Sequence, residues 1–414
     1  MNNIARKLLL LDILLSGTQC IVIPWLPLSL FQISILATMV VSIPSIISHV
    51  FSKSGVIYKS FAVIWFISGI IAYLTSINGS WAKSYVLLSI MTSYLFLAIP
   101  CHFSRDDLSL LVKTLVRSQY IVIPFSILNY YLFYSIGVMP EKLPLLGGLY
   151  VNLDADTIAR GTAAGELRLM LPYATPPVLS IVMATCLTVL LFSKRWFKGV
   201  EKWFLIFSYG LILIFTGSRT GMLGFIMLLM LLMINGDLKK YLKSIPKLRL
   251  ILLICGIVIL LLSFIDDEYF QKMVVGRFSD VSSNSLEDDR HFLVPLDGLL
   301  IWVDDLSNFV LGIGFGSSSF MKGTHTYLPP YFLNSYVTLL AERGLLGLIL
   351  CCTILRMFFT SFHRRRQYCS DERSMLYGLY VALFSGIFYE NLICYFVIFI
   401  TSISFILFKT KVHG

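Results

Sequence analysis

The chain has 414 residues, 57% of them hydrophobic and only 14% charged, with a mean hydropathy of +0.81. That composition excludes a soluble globule with a polar skin. The net charge of +10 sits in the connections between apolar runs, which is the pattern of membrane topology and not of a nucleic-acid footprint.

Runs long enough to cross a ~30 Å hydrocarbon layer recur from end to end, and backbone groups in lipid must satisfy one another, so each run is expected to be a helix. In chain order they fall near 8–26, 29–49, 60–77, 82–101, 115–138, 169–192, 203–216, 220–235, 250–265, 344–362, 374–391 and 392–408. The expected fold class is therefore an all-α integral membrane protein with about twelve transmembrane helices. Asp12 interrupts the first run and no small-x-small cleavage site follows it, so 8–26 reads as a span and not a leader.

Lysine and arginine gather at Arg6 and Lys7, Lys53 and Lys59, Arg105 to Arg117, Lys194 to Lys202, Lys239 to Arg249, Arg356 to Arg373, and Lys409 and Lys411. If the spans alternate, all these groups fall on one side, which then holds 23 of the 33 basic residues. By the positive-inside rule that side is the cytoplasm, and both termini lie there. Six cysteines fall in spans and two, Cys101 and Cys369, toward the cytoplasmic side; no external pair exists to form a disulfide framework, and there is no CxxC pair for a metal.

Two external segments stand out. The first, roughly 139–168, carries Gly147, Gly148, Asp154, Asp156, Arg160, Glu166 and Arg168. The second runs from Asp266 to Arg343, between spans nine and ten, and loops of this length are usually functional or disordered. Order is expected here, because the loop contains Trp302, an apolar stretch at 292–301 and an amphipathic helix before span ten. Glu342 and Arg343 are read as the place where that helix meets the membrane, in preference to a buried ion pair.

Between the basic groups at 194–202 and 239–249 the chain must go out and come back as a hairpin with its apex near 217–219. Legs this short span less than the ~30 Å core, so the apex is recessed, and Arg219 lies at a depth where an arginine faces a wet cavity or an anion. The bland alternative is a snorkelling arginine, with Gly217 and Gly221 serving as a small-xxx-small packing motif. In the long loop Arg277 in GRFSD and Arg290 in DDRHF stand among many carboxylates. Arginine clusters clamp phosphates with paired hydrogen bonds, and a pyrophosphate carried on a lipid fits both charge and depth; surface ion pairs are the alternative for each loop arginine.

The SRTG at 218–221, the GR at 276–277, Arg290, the GIGFG at 312–316 and LNSYVTLLAERGLLG at 333–347, in this order and on one side, together resemble the O-antigen polymerase and O-antigen ligase superfamily. The resemblance covers about 200–360. It divides the chain into N-terminal transmembrane helices, 1–200, and a polymerase/ligase-like core, 201–414, that includes the periplasmic loop 266–343, in a GT-C-like arrangement. It implies a glycosyltransferase with neither metal nor cofactor that takes a glycan from an undecaprenyl-pyrophosphate donor at the periplasmic face of a bacterial inner membrane. Arg219 corresponds to the membrane-embedded arginine, and Arg277 and Arg290 to the two loop arginines that engage the diphosphate. Where ligases show His-Asn, this chain has Leu333-Asn334, which favours a polymerase; Asn334 remains a substrate-binding candidate, and His325 in KGTHTYLPP is a candidate catalytic base.

Asp288, Asp289, Asp297, Asp304 and Asp305 are further candidate bases. GIGFG lies outside any strand–helix unit and reads as a turn, not a dinucleotide loop. His291 and His325 are too few and too far apart for zinc. Because pyrophosphate leaves readily once neutralised, fixed positive donors should carry much of the catalysis, with a base taking the acceptor proton late. The expected partners are the lipid-linked oligosaccharide, membrane lipids, and a chain-length regulator and flippase of the same pathway. The rival readings are a ligase that attaches glycan to lipid A-core and a lipid-linked sugar flippase; against the latter, the two halves show no internal repeat.

Overall fold

The computed structural model describes residues 2–18, 21–22, 28–50, 55–131, 142–144, 150–152, 162–163, 166–167, 169–173, 175–239, 290–321, 332–389 and 394–409. The expected span at 250–265, Arg277, His325, Asp288 and Asp289 lie outside them, as does the side chain of Arg290. The helices are α1 (Asn2–Leu15), α2 (Leu30–Val50), α3 (Val56–Thr75), α4 (Gly79–His102), α5 (Leu108–Arg117), α6 (Val122–Tyr131), α7 (Pro176–Phe192), α8 (Gly199–Phe215), α9 (Arg219–Ile234), α10 (Arg290–Asp304), α11 (Leu306–Leu311), α12 (Ser335–His363), α13 (Ser370–Ser385) and α14 (Tyr395–Lys409).

The chain is a helical membrane protein. Among the described residues, α2, α3, α4, the helical stretch Arg105–Tyr131 and α12 are long and apolar enough to cross a membrane, and α7, α9 and α14 are shorter apolar helices. The outward faces support this reading: Val40, Ile43 and Ile47 on α2 and Val56, Val63, Phe66 and Leu74 on α3 are exposed, a belt of apolar surface that water would not tolerate at such extent. Polar groups turn inward and bond between helices. Ser42 meets Tyr94 Oη at 2.8 Å and Ser361 meets Tyr380 Oη at 2.7 Å, the short hydroxyl links typical of helix pairs in lipid.

Three departures from the expected elements have local causes. The first helix ends at Leu15 and does not run to 26: a 3-10 turn at Ser16–Thr18 follows, then strand β1 (Ile21–Val22). Gly17 lies so close to Ser118 that an added Cβ would stand 2.6 Å from its carbonyl oxygen, and apolarity alone does not separate helix from a β-branched strand. Strand β1 pairs antiparallel with β3 (Tyr150–Asn152), which pairs antiparallel with β2 (Lys142–Pro144); β4 (Thr162–Ala163) and β5 (Glu166–Leu167) form a separate hairpin. The chain between α6 and α7 therefore carries small β elements that the all-α expectation omits.

The third departure is at 105–131. Here α5 is amphipathic, burying Leu108, Leu111, Val112, Leu115 and Val116 at helical spacing, and a 3-10 turn at Ser118–Ile121 separates it from α6. The Ser118 hydroxyl folds back on the Leu115 carbonyl at 2.7 Å, which competes with regular helix.

Basic residues that the sequence groups on one side meet at one end of the bundle. Arg6 pairs with Asp107, Arg105 with Glu372, Arg117 with Glu201, and Arg365 with Asp237. Both ends of α5 are thus tied to this end, so the helix lies across it. Lys409 donates to the Pro100 carbonyl at 2.9 Å, and Lys59 to that of His49 at 2.5 Å. Beside them the buried Asp371 accepts the Ser193 hydroxyl and the amides of Lys194, Arg195 and Trp196. Burial alone would push its carboxyl up, but these donors outweigh it and hold it below the usual carboxylate range.

Candidate functional site

The opposite end of the bundle is built from the tips of α8–α9 and α3–α4, the starts of α7 and α12, and helices α10 and α11. Helices α8 and α9, of 17 and 16 residues, reach only ~24–26 Å against a ~30 Å core. Their turn is enclosed by protein: Thr216 is 0% and Ser218 2% exposed. Gly217 makes the turn with a φ of 55°. Arg219 follows as the first residue of α9 and is partly buried.

What fixes Arg219 is the packing behind it. The Ser180 hydroxyl of α7 lies 3.2 Å from Ser218 Oγ and accepts the Gly221 amide at 3.1 Å. A Cβ on Gly221 would stand 2.3 Å from the Ser180 carbonyl oxygen, so only glycine lets α9 come this close. Gly221 is therefore a packing residue, whereas Gly217 is a turn residue; the two do not act as one small-xxx-small face. A cation at a helix N-terminus opposes the helix dipole, so the tip concentrates positive potential where an anion would be favoured.

Asn334 caps α12. Its Oδ1 accepts the amides of Tyr336 and Val337 at 3.0 and 3.1 Å, and its Nδ2 donates to the Ile387 carbonyl at 2.8 Å. The next residues dock the helix start onto the end of α13: the Ser335 amide donates to Gly386 at 2.8 Å, its hydroxyl to Tyr389 at 3.0 Å, and Tyr336 Oη to Leu383 at 2.8 Å. Carbonyls at and just beyond the C-terminus of α13 accept these donors. Tyr389 Oη in turn reaches Thr175, just before α7, so Asn334 and Arg219 share one rim through α7. Leu333 precedes the cap with a φ of 54°, a left-handed conformation rare in side-chain-bearing residues.

The junction expected at Glu342 and Arg343 is present at this end, and the burial of the pair is what departs from the sequence reading. Helix α12 is broken at Gly344, with φ 56° and ψ −136°, which separates a short first segment, 335–343, from the long apolar second one. Just before the break Glu342 and Arg343 are each 3% exposed, so they do mark the junction but are buried in it. The Glu342 carboxylate accepts the Gly316 amide at 2.8 Å. The Arg343 guanidinium donates to the Trp65 carbonyl at 3.2 Å and to the hydroxyls of Ser68 and Ser89 at 2.9 and 3.2 Å.

GIGFG is a turn, as its composition indicates, with Gly312, Gly314 and Gly316 all at positive φ. It wedges between the α12 break and the α3–α4 tip. The amides of Ile313 and Phe315 donate to Ala341 and Ala72 at 2.9 and 3.0 Å, and the Ser76 hydroxyl to Phe315 at 2.7 Å. A sequence shows a charged pair inside LLAERGLLG, but not that its cage is supplied by residues some 250 positions away.

A small core of Val294, Ile313, Phe332, Val337 and Ala341 joins α10 to the GIGFG turn and the start of α12. Asp297 on α10 is buried, while Asp304 and Asp305 are exposed, which separates the candidate bases by access to solvent. The backbone of Arg290 opens α10, and thus belongs to the same end as Arg219. Among the described residues no three His, Cys, Asp or Glu side chains gather as a metal site. No family model and no curated protein matches this chain.

Proposed function

We propose that the chain is a surface-polysaccharide polymerase of a bacterial inner membrane, a glycosyltransferase that joins lipid-linked repeat units at the periplasmic face. In this reading the basic end of the bundle is cytoplasmic and the end bearing Arg219 is periplasmic. The observation that carries it is the protein-enclosed tip of α8–α9, which holds a partly buried arginine at a helix N-terminus. A diphosphate on a membrane lipid arrives at that depth. The likeness of SRTG, GR, GIGFG and LNSYVTLLAERGLLG to polymerases and ligases supports the same reading.

The transfer cleaves the bond between a sugar and pyrophosphate. Arg219, with Arg277 and Arg290, neutralises the departing diphosphate, which fixed donors in a water-poor cleft do effectively. His325 or one of the loop aspartates takes the acceptor hydroxyl's proton as that bond forms. Asn334 holds the rim in shape through its backbone partners, and the second N–H of its side-chain amide is left to meet a sugar hydroxyl. The carrier-linked oligosaccharide is the substrate, and a flippase and chain-length regulator are the expected pathway partners.

Deletion of the coding gene tests the reading. Lipopolysaccharide capped with a single repeat unit, its ladder of longer chains gone, is the expected result. Long polymer accumulating on the lipid carrier over bare core would make the chain a ligase, and repeat units trapped in the cytoplasmic leaflet would make it a flippase.

A further inference from the structure

At the basic end of the bundle a groove of about 380 Å³ opens between the first half of α3, the second half of α12 and the end of α14. That volume is in the range of binding pockets for small ligands. Its walls are apolar, with Ile57 and Ile64 from α3, Met357 from α12 and Phe408 from α14. Along one side Arg356, Thr360 and Arg364 succeed one another at four-residue spacing, so they share one strip of α12. Among the described residues that line the groove there is no carboxylate.

Several arginines at this end are already paired. Arg6, Arg105, Arg117 and Arg365, at the same end, each meet a carboxylate. Among the described residues the exposed guanidinium groups of Arg356 and Arg364 enter no ion pair or hydrogen bond. The flanking surface is lipid-facing in character, with Val56, Ile57 and Phe359 exposed. An occupant must therefore be apolar along its body and anionic at the end where the arginines stand. Basic pockets between membrane helices select phosphate head groups on these terms, and a zwitterionic lipid would bring its own cation against two more.

We propose that this groove binds an anionic glycerophospholipid of the surrounding bilayer, with Arg356 and Arg364 on the phosphate and Ile57, Ile64, Met357 and Phe408 along an acyl chain. The site is remote from Arg219 and is independent of the polymerase reading. The lipid would fill the seam between α3 and α12, the same two helices that Arg343 joins at the other end.

The full-length protein, purified in a detergent with a neutral head group, can be offered phosphatidylglycerol or phosphatidylcholine of identical chains and examined by native mass spectrometry. Phosphatidylglycerol should be retained preferentially, and retention should fall about fivefold for each arginine removed, at ~1 kcal/mol per basic residue near an anionic surface. Arg356→Gln/Arg364→Gln should thus bind the two lipids alike, whereas Arg366→Gln, exposed but outside the groove, should behave as wild type. Should the double variant fail to fold, raising salt on the wild-type protein provides the second measurement, and preferential retention should weaken. Equal retention of both lipids by wild type, undiminished phosphatidylglycerol on the folded double variant, or salt-insensitive preference would overturn the proposal. Displacement of phosphatidylglycerol by an equimolar polyprenyl phosphate would overturn the assignment to a bilayer lipid.

Discussion

The guanidinium carbon of Arg343 lies 4.4 Å from the centroid of the Trp65 ring, with the Phe315 ring 5.2 Å away on the GIGFG turn. One side chain thereby ties three parts of the chain together: the α12 break, the α3 helix and the GIGFG turn. Its cation is stabilised by ring faces and by three hydrogen-bond acceptors, so its removal leaves a void and unpaired hydroxyls at the junction. Arg343→Ala should lower stability in detergent by about 3 kcal/mol, read as a fall in thermal midpoint. Arg343→Lys should recover only part of that, because an ammonium cannot both span Ser68 and Ser89 and lie flat on the indole.

Gly344 makes a second test of the same junction. Its backbone conformation is unfavourable for any side chain, and an added Cβ would stand 2.5 Å from the Val310 carbonyl oxygen. Gly344→Ala should cost about 2 kcal/mol or more. Gly79→Ala, where a Cβ meets nothing within 4 Å, is the matched control and should change the midpoint little.

For the recessed arginine the prediction concerns geometry, not charge. If Arg219 grips a diphosphate with its planar fork, Arg219→Lys should lose at least about tenfold in polymer formed at equal protein level. A snorkelling arginine would accept lysine with near-normal output. Arg277→Ala and Arg290→Ala should be severely impaired as well, scored by the lipopolysaccharide ladder in a complemented deletion strain.

Sidedness can be read directly. A reporter fused after residue 240 or 367 should report the cytoplasm, and one inserted near 285 the periplasm. Reversed signals would refute the orientation on which the proposed reaction depends.

Asp371 predicts a pH dependence at the basic end. Its pKa is lower folded than unfolded, so its contribution is fully present above the unfolded value near ~4 and is lost as pH falls through the folded one. Thermal midpoints should therefore drop between about pH 5 and 3 in the wild type. Asp371→Asn should be less stable at neutral pH by about 2 kcal/mol and should show a shallower acid decline, since the amide still accepts one amide donor but carries no charge to lose.

Much of this protein is legible in its sequence because lipid imposes few solutions. Apolar length sets helices, as at α2, α3 and α4; basic clusters distant in the chain come together, as at Arg105–Glu372 and Arg117–Glu201; and the turn of the short hairpin is enclosed by protein, with Thr216 and Ser218 buried. What depends on side chains meeting across the bundle was not legible. Ile21 and Val22 form a strand because a partner strand at 150–152 is there to pair with, which an apolar run does not announce. Asn334 became a cap, and Arg343 a buried clamp, because their partners come from Ile387 and from Trp65, Ser68 and Ser89, distant in the chain. Hydrophobic length is a local property that one segment carries alone, whereas the satisfaction of a buried polar group requires donors and acceptors from several helices at once, and only their packing decides which ones arrive.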